Sequence, residues 1–119
     1  MRVKRGTKCR KRHKKTLDRA EGFRGRTRNT FKQAVQRTEK AMTYEFRDRK
    51  VKKREFRALW VTRINAAARL NGLSYSRFIA GLKAAKVEID RKVLADLGAY
   101  FPSAFTAVAD TAKKALAAA

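Results

Sequence analysis

The chain has 119 residues, enough for one small domain with an appendage, and its 32 Lys and Arg against 10 Asp and Glu give a formal net charge of +22. That lies far beyond the magnitude of about 2 to 8 that suits a small soluble domain, so the chain repels itself unless it meets a polyanion. A single cysteine excludes an internal disulfide, and no run approaches the roughly 18 apolar residues of a membrane span or the apolar core of a signal peptide, so a reducing, cytoplasmic location is expected.

The charge is uneven along the chain. Residues 1–60 hold 23 Lys or Arg and 6 Asp or Glu, a balance of +17, whereas residues 61–119 hold 9 and 4, a balance of +5. The expected fold is all-α, with a long basic N-terminal helical arm over residues 1–58 and a small helical C-terminal domain over residues 59–119.

Residues 1–15, MRVKRGTKCRKRHKK, carry nine basic side chains and no acid, and with so little to bury this tip is expected to stay disordered until a partner orders it. A short helix is predicted from about Lys8 to Glu21, stopped by GFRG at 22–25, where two glycines permit positive φ. From Arg26 to Asn71 neither Gly nor Pro occurs and the composition favours helix. One long helix, with room for a bend, is therefore predicted there, closed by Asn71-Gly72 as a C-cap.

Ser74 is placed to cap a helix reaching about Lys86, with Phe78, Ile79, Leu82 and Ala85 on one face. Asp90 caps a short helix containing Val93, Leu94 and Leu97 that ends near Gly98. Pro102 fits the first turn of a last helix, whose buried stripe is Phe105, Val108, Ala109, Ala112 and Leu116. These faces need a shared core, and Phe56, Trp60, Ile64 and Ala67, with Leu59 alongside, complete it from the end of the long helix. A unit of about 60 residues buries only roughly 60% of its unfolded surface and is marginal alone.

The stretch YEFRDRKVKKREFRALW, residues 44–60, holds seven basic side chains and four aromatics. At about 100° per residue, Arg47, Arg49, Lys50, Lys52, Lys53, Arg54 and Arg57 cover most of the helix circumference rather than one stripe. A duplex surface needs one basic face, whereas a helix surrounded by phosphate needs several, which favours folded RNA with its clefts and junctions. Phe23, Phe31, Tyr44 and Phe46 lie among the cations, where they either stack on bases or pack on Arg and Lys stems. Asp48 and Glu55 are expected to pair at helical spacings such as Asp48 to Lys52, holding the neighbouring cations in place.

No catalytic set is evident. His13, the only histidine, and Cys9 stand four apart, with no second Cys or His to complete a zinc site. Glu88 and Asp90 are explained more simply by capping than by acid-base work, and no phosphate-cradling glycine loop occurs. No enzyme activity, cofactor or metal is expected. The alternative from another class is a DNA-binding regulator, which would bring a dimerisation seam that the sequence does not display. Membrane disruption is disfavoured because the long helix lacks a large apolar face over most of its length.

The segments VKRG (3–6), RHKK (12–15), GFRG (22–25), YEFRDRK (44–50), FRALWVTRINAAARLNGLSYSRFIAGL (56–82) and VEIDRKVLADL (87–97) closely resemble the bacterial-type large-subunit ribosomal protein twenty family. Residues 98–119 match it only loosely. The resemblance implies an all-α structural constituent of the large ribosomal subunit that binds large-subunit rRNA and acts early in subunit assembly. Its partners would be that rRNA, neighbouring large-subunit proteins and, in some bacteria, its own messenger RNA, whose translation it represses; neither a membrane nor a homo-oligomer is required. Carried over by position, the arm contacts are Arg2, Lys4, Arg5, Arg12, His13, Lys14, Lys15, Arg24, Arg47, Arg49, Lys50, Lys53, Arg54 and Arg57. The other arm cations Lys8, Arg10, Lys11, Arg26, Arg28, Lys32, Arg37 and Lys52 join them as RNA-binding candidates on charge. In the C-terminal domain the resemblance implies an RNA-facing group of Asn71, Ser74, Tyr75, Ser76 and Arg77, with Trp60, Ile64, Phe78, Ile79 and Leu82 in the core.

Overall fold

The computed structural model describes residue 2 and residues 6–118. The described residues form six helices and no strand: α1 Gly6–Arg19, α2 Arg26–Asn29, α3 Phe31–Leu70, α4 Tyr75–Ala84, α5 Arg91–Tyr100 and α6 Pro102–Ala117. The all-α class with one long helix is the class expected. Two compact units divide the chain, Met1–Val51 and Lys52–Ala119, and α3 contributes to both.

In the N-terminal unit, residues 6–15 are helical, where composition alone implies disorder. The composition argument is met in one respect, since α1 buries none of its own residues. Its support comes from its last turns: Ala20, just beyond the helix, is fully buried, as is Ala34 of α3, and the His13 ring stacks on Phe31 at 3.8 Å between centroids. Farther along, the Arg19 guanidinium donates to the Met42 sulfur at 3.3 Å. Thr38 is the one buried polar side chain described, and its hydroxyl donates to the carbonyls of Ala34 and Val35 at 2.7 and 3.0 Å. Alanine and threonine carry no long side chain to hold elements apart, so the backbones can approach closely.

The long helix starts later than Arg26. Thr30 lies at φ −101° and ψ 117°, an extended conformation that limits α2 to a single turn. Asn29 and Thr30 are both poor helix formers, and the Thr30 carbonyl accepts the Ala34 amide at 2.9 Å, so α3 begins beyond the break.

The C-terminal unit has a conventional core. Ile64, Ala67 and Ala68 of α3 meet Leu73, Phe78, Leu82, Leu94, Ala95, Phe105, Ala109 and Ala112 in one buried cluster, with Trp60, Tyr75, Ile79, Val108 and Leu116 packed partly against it. Phe78 and Phe105 stack at 5.0 Å at its centre. Two residues expected in the stripe are instead exposed, Phe56 at 45% and Leu59 at 42%, because the short helices begin to cover α3 only from Trp60 onward.

The caps follow local chemistry. Gly72, at φ 77°, closes α3 in a Schellman turn, with the Leu73 amide on the Ala68 carbonyl and the Gly72 amide on that of Arg69. The Ser74 hydroxyl accepts the Arg77 amide at 3.4 Å, and the Asp90 carboxylate accepts that of Val93 at 2.8 Å. Pro102 opens α6. Helix α4 ends at Ala84 rather than Lys86, in a second Schellman turn whose left-handed position, φ 54°, is occupied by Lys86.

Gly98 does not terminate α5, which continues to Tyr100. A Cβ at 98 would lie 2.9 Å from the Ala67 Cβ, so this glycine serves close helix packing. Gly81 does the same for α4 against α6: a Cβ there would lie 2.5 Å from the Ala112 carbonyl oxygen.

Candidate nucleic-acid interface

Within the N-terminal unit, Lys8, Arg10, Lys11, Arg12, Lys14 and Lys15 are exposed on α1, while His13 is half-buried against Phe31 with its Nε2 3.7 Å from the Cys9 sulfur. Arg2 is exposed; Lys4 and Arg5 lie outside the described residues. Arg24 is exposed on the loop after α1, Arg26 and Arg28 on α2, and Lys32, Arg37, Arg47, Arg49 and Lys50 on α3. In the C-terminal unit Lys52, Lys53, Arg54 and Arg57 are likewise exposed. From Met42 to Leu59 every side chain is exposed except Val51, which is half-buried. Protein lies beside its first turn, where Met42 meets Arg19 and Tyr44 shares a groove with Phe23, and the rest of the stretch is open to solvent around most of its circumference.

Of the acids within it, one pairs at helical spacing and one with its neighbour in sequence. Asp48 binds its neighbour Arg47 at 2.7 Å rather than Lys52, and Glu45 binds Arg49 at 2.8 Å. The hydrogen bond from Arg47 is the main cause that holds the Asp48 carboxyl below its usual range and raises the Arg47 guanidinium further. Both arginines are thereby oriented while remaining open to solvent. The aromatics carry cations as well: the Tyr44 ring has the Lys40 ammonium at 4.8 Å and the Arg47 guanidinium at 4.6 Å, and Phe46 has Lys50 at 4.3 Å.

The five candidates of the C-terminal unit divide. Asn71 donates its side-chain amide to the Ala67 carbonyl at 3.0 Å, Ser74 caps α4, and Tyr75 packs on the core while its hydroxyl accepts from Arg91 at 3.1 Å. These three have structural work in the fold itself. Ser76 and Arg77 are exposed on the first turns of α4.

One feature escaped the sequence. Phe23, Arg24, Thr27, Arg37, Lys40, Ala41 and Tyr44 line a groove of about 450 Å³ within the N-terminal unit. The spacing of Arg37, Lys40, Ala41 and Tyr44 along one helical face could have indicated it, but the loop that closes the groove carries no periodic signal. Among the described residues no three His, Cys, Asp or Glu side chains gather to hold a metal, and no helix is long and apolar enough to cross a membrane.

Comparison with known proteins accounts for nearly the whole chain. Residues 2–108 match the family model described as ribosomal protein L20. The chain is 61% identical over 112 residues to the large ribosomal subunit protein bL20 of Geobacter sulfurreducens, covering 94% of this chain and 96% of that one. It is 60% identical over the same length and shares to the bL20 of Geobacter metallireducens, and 56% identical over 115 residues to that of Pelobacter propionicus, covering 97% and 98%. The chain therefore belongs to the ribosomal protein L20 family, whose members are structural proteins of the ribosome and not enzymes.

Proposed function

We propose that the protein is built into the large ribosomal subunit by binding large-subunit rRNA directly, and that it promotes early subunit assembly by neutralising phosphates that must approach one another. The observation that carries this reading is the stretch from Met42 to Leu59, in which every side chain but Val51 is exposed and charge covers most of the circumference. A helix of that kind is suited to a cleft walled by phosphate rather than to a single surface. The contacts are the candidate cations of residues 2–57, with Ser76 and Arg77 as the exposed polar pair of the C-terminal unit. The setting is the cytoplasmic ribosome, beside other large-subunit proteins.

The test is competition binding of the full chain to a folded large-subunit rRNA fragment and to a DNA duplex of equal length, over a range of salt. Preference for rRNA that persists as salt rises supports the reading. Affinities that collapse together, with no preference, favour general polyanion binding and the DNA-binding alternative. The protein's own messenger, added as a third competitor, tests repression: an affinity matching that of the rRNA fragment supports it, and an affinity matching that of the DNA duplex removes it.

A further inference from the structure

We propose that the groove of the N-terminal unit holds one unstacked nucleobase of the bound rRNA, with Tyr44 as its stacking platform and Arg24 and Arg37 on the flanking phosphates. This rests on the rRNA-binding reading above and specifies one subsite of it. The groove, about 450 Å³, lies within the roughly 300–1,000 Å³ range of ligand clefts. Its lining includes two aromatic rings and three cations and no carboxylate. An apolar peptide would leave three cations unmatched there, and a continuous duplex offers no free base face. A single-stranded nucleotide supplies both a π-face and the adjoining phosphates.

The walls are held before any ligand arrives. Gly22 at φ 85° and Gly25 at φ 63° bracket Phe23 and Arg24, a path that side-chain-bearing residues rarely follow. The Phe23 amide donates to the Ala20 carbonyl at 3.1 Å, and the Thr27 hydroxyl donates to the Arg24 carbonyl. Opposite the loop, Arg37, Lys40 and Tyr44 are fixed at helical spacing on α3. Phe23 is half-buried and forms a side wall, whereas Tyr44 is 42% exposed and able to take a stacked partner.

Lys40 and Arg47 lie over the Tyr44 ring, so a base must displace the cation on the face it takes. A cation–π contact at an exposed site is weaker than base stacking on an aromatic ring, so the exchange favours the base. The displaced cation is then free beside the phosphate that enters with the base.

The experiment uses the full chain and the folded rRNA fragment, with Tyr44→Leu, Tyr44→Phe, Phe23→Leu and Arg37→Gln, each checked for unchanged helicity and melting. Tyr44→Leu is expected to weaken binding roughly 5- to 150-fold without changing the log-log salt slope, and Tyr44→Phe to keep full affinity. Arg37→Gln is expected to reduce that slope by about 0.7. Chemical probing is expected to show one base protected by the wild-type protein and released with Tyr44→Leu. Full affinity and an unchanged footprint with Tyr44→Leu would overturn the subsite, as would a loss that Tyr44→Phe shares. If Tyr44→Leu alters the fold, Phe23→Leu decides in its place: an unchanged footprint overturns the subsite and release of the same single base supports it. Wild-type protein without rRNA preference overturns both readings, whereas a preference untouched by these variants overturns the subsite alone.

Discussion

The C-terminal unit buries eleven residues in one cluster, with two stacked phenylalanines at its centre, whereas the buried positions of the N-terminal unit are Ala20, Ala34 and Thr38. Both units are helical, but different forces hold them. In the first case burial of apolar surface opposes the chain entropy, at roughly 25 cal/mol per Å². In the second, little apolar area is gained, and like charges work against compaction. The N-terminal unit therefore depends far more on what it binds, and ligand binding stabilises it by mass action.

The difference can be broken at several points. The largest effect is expected from salt: if six to ten phosphates are contacted, raising salt from about 50 to 200 mM should lower rRNA affinity roughly 10³- to 10⁵-fold, measured by filter binding. Melting of the C-terminal unit over the same range should move little, since its core is apolar. Next comes Phe105→Ala, which opens a cavity against Phe78 and should cost about 3–5 kcal/mol in urea unfolding followed through Trp60 fluorescence.

Gly81→Ala should cost about 1–3 kcal/mol in the same assay, because its new methyl meets the Ala112 backbone and not a movable side-chain tip. Lys86→Gly should act in the opposite direction and stabilise by about 1 kcal/mol, since it relieves a left-handed residue of its Cβ. The smallest effect belongs to the arm: Glu45→Gln removes the exposed pair with Arg49 and should cost about 0.2–0.5 kcal/mol of helix stability by circular dichroism. A larger loss there would mean that the arm is held by its own contacts after all.

What the sequence made legible is what local chemistry decides. Asn71-Gly72, Ser74, Asp90 and Pro102 act where they were expected, because a cap is settled by a few neighbouring backbone groups. Gly98 was misread as a helix end because the reason for it lies in Ala67, some thirty residues away. Phe56 and Leu59 extend a perfectly periodic stripe, yet periodicity does not tell how far a partner reaches along it. Of the interface, the cations were plain from charge. The groove was hidden because its loop is shaped by glycine torsions, and the partners of the Asn71 amide and the Tyr75 hydroxyl were hidden because fold and recognition draw on the same polar residue types.

The open stretch from Met42 to Leu59 also bears on the fate of copies that never reach a ribosome. Its helix has almost no roof of packed side chains, so it opens locally at low cost compared with the cored unit. Each opening presents Arg47, Arg49, Lys50, Lys52, Lys53, Arg54 and Arg57 to any protease that cuts after basic residues. Binding in a phosphate-walled cleft, as proposed above, would shield those bonds. Limited proteolysis of the free chain is therefore expected to cut first between Arg47 and Arg57.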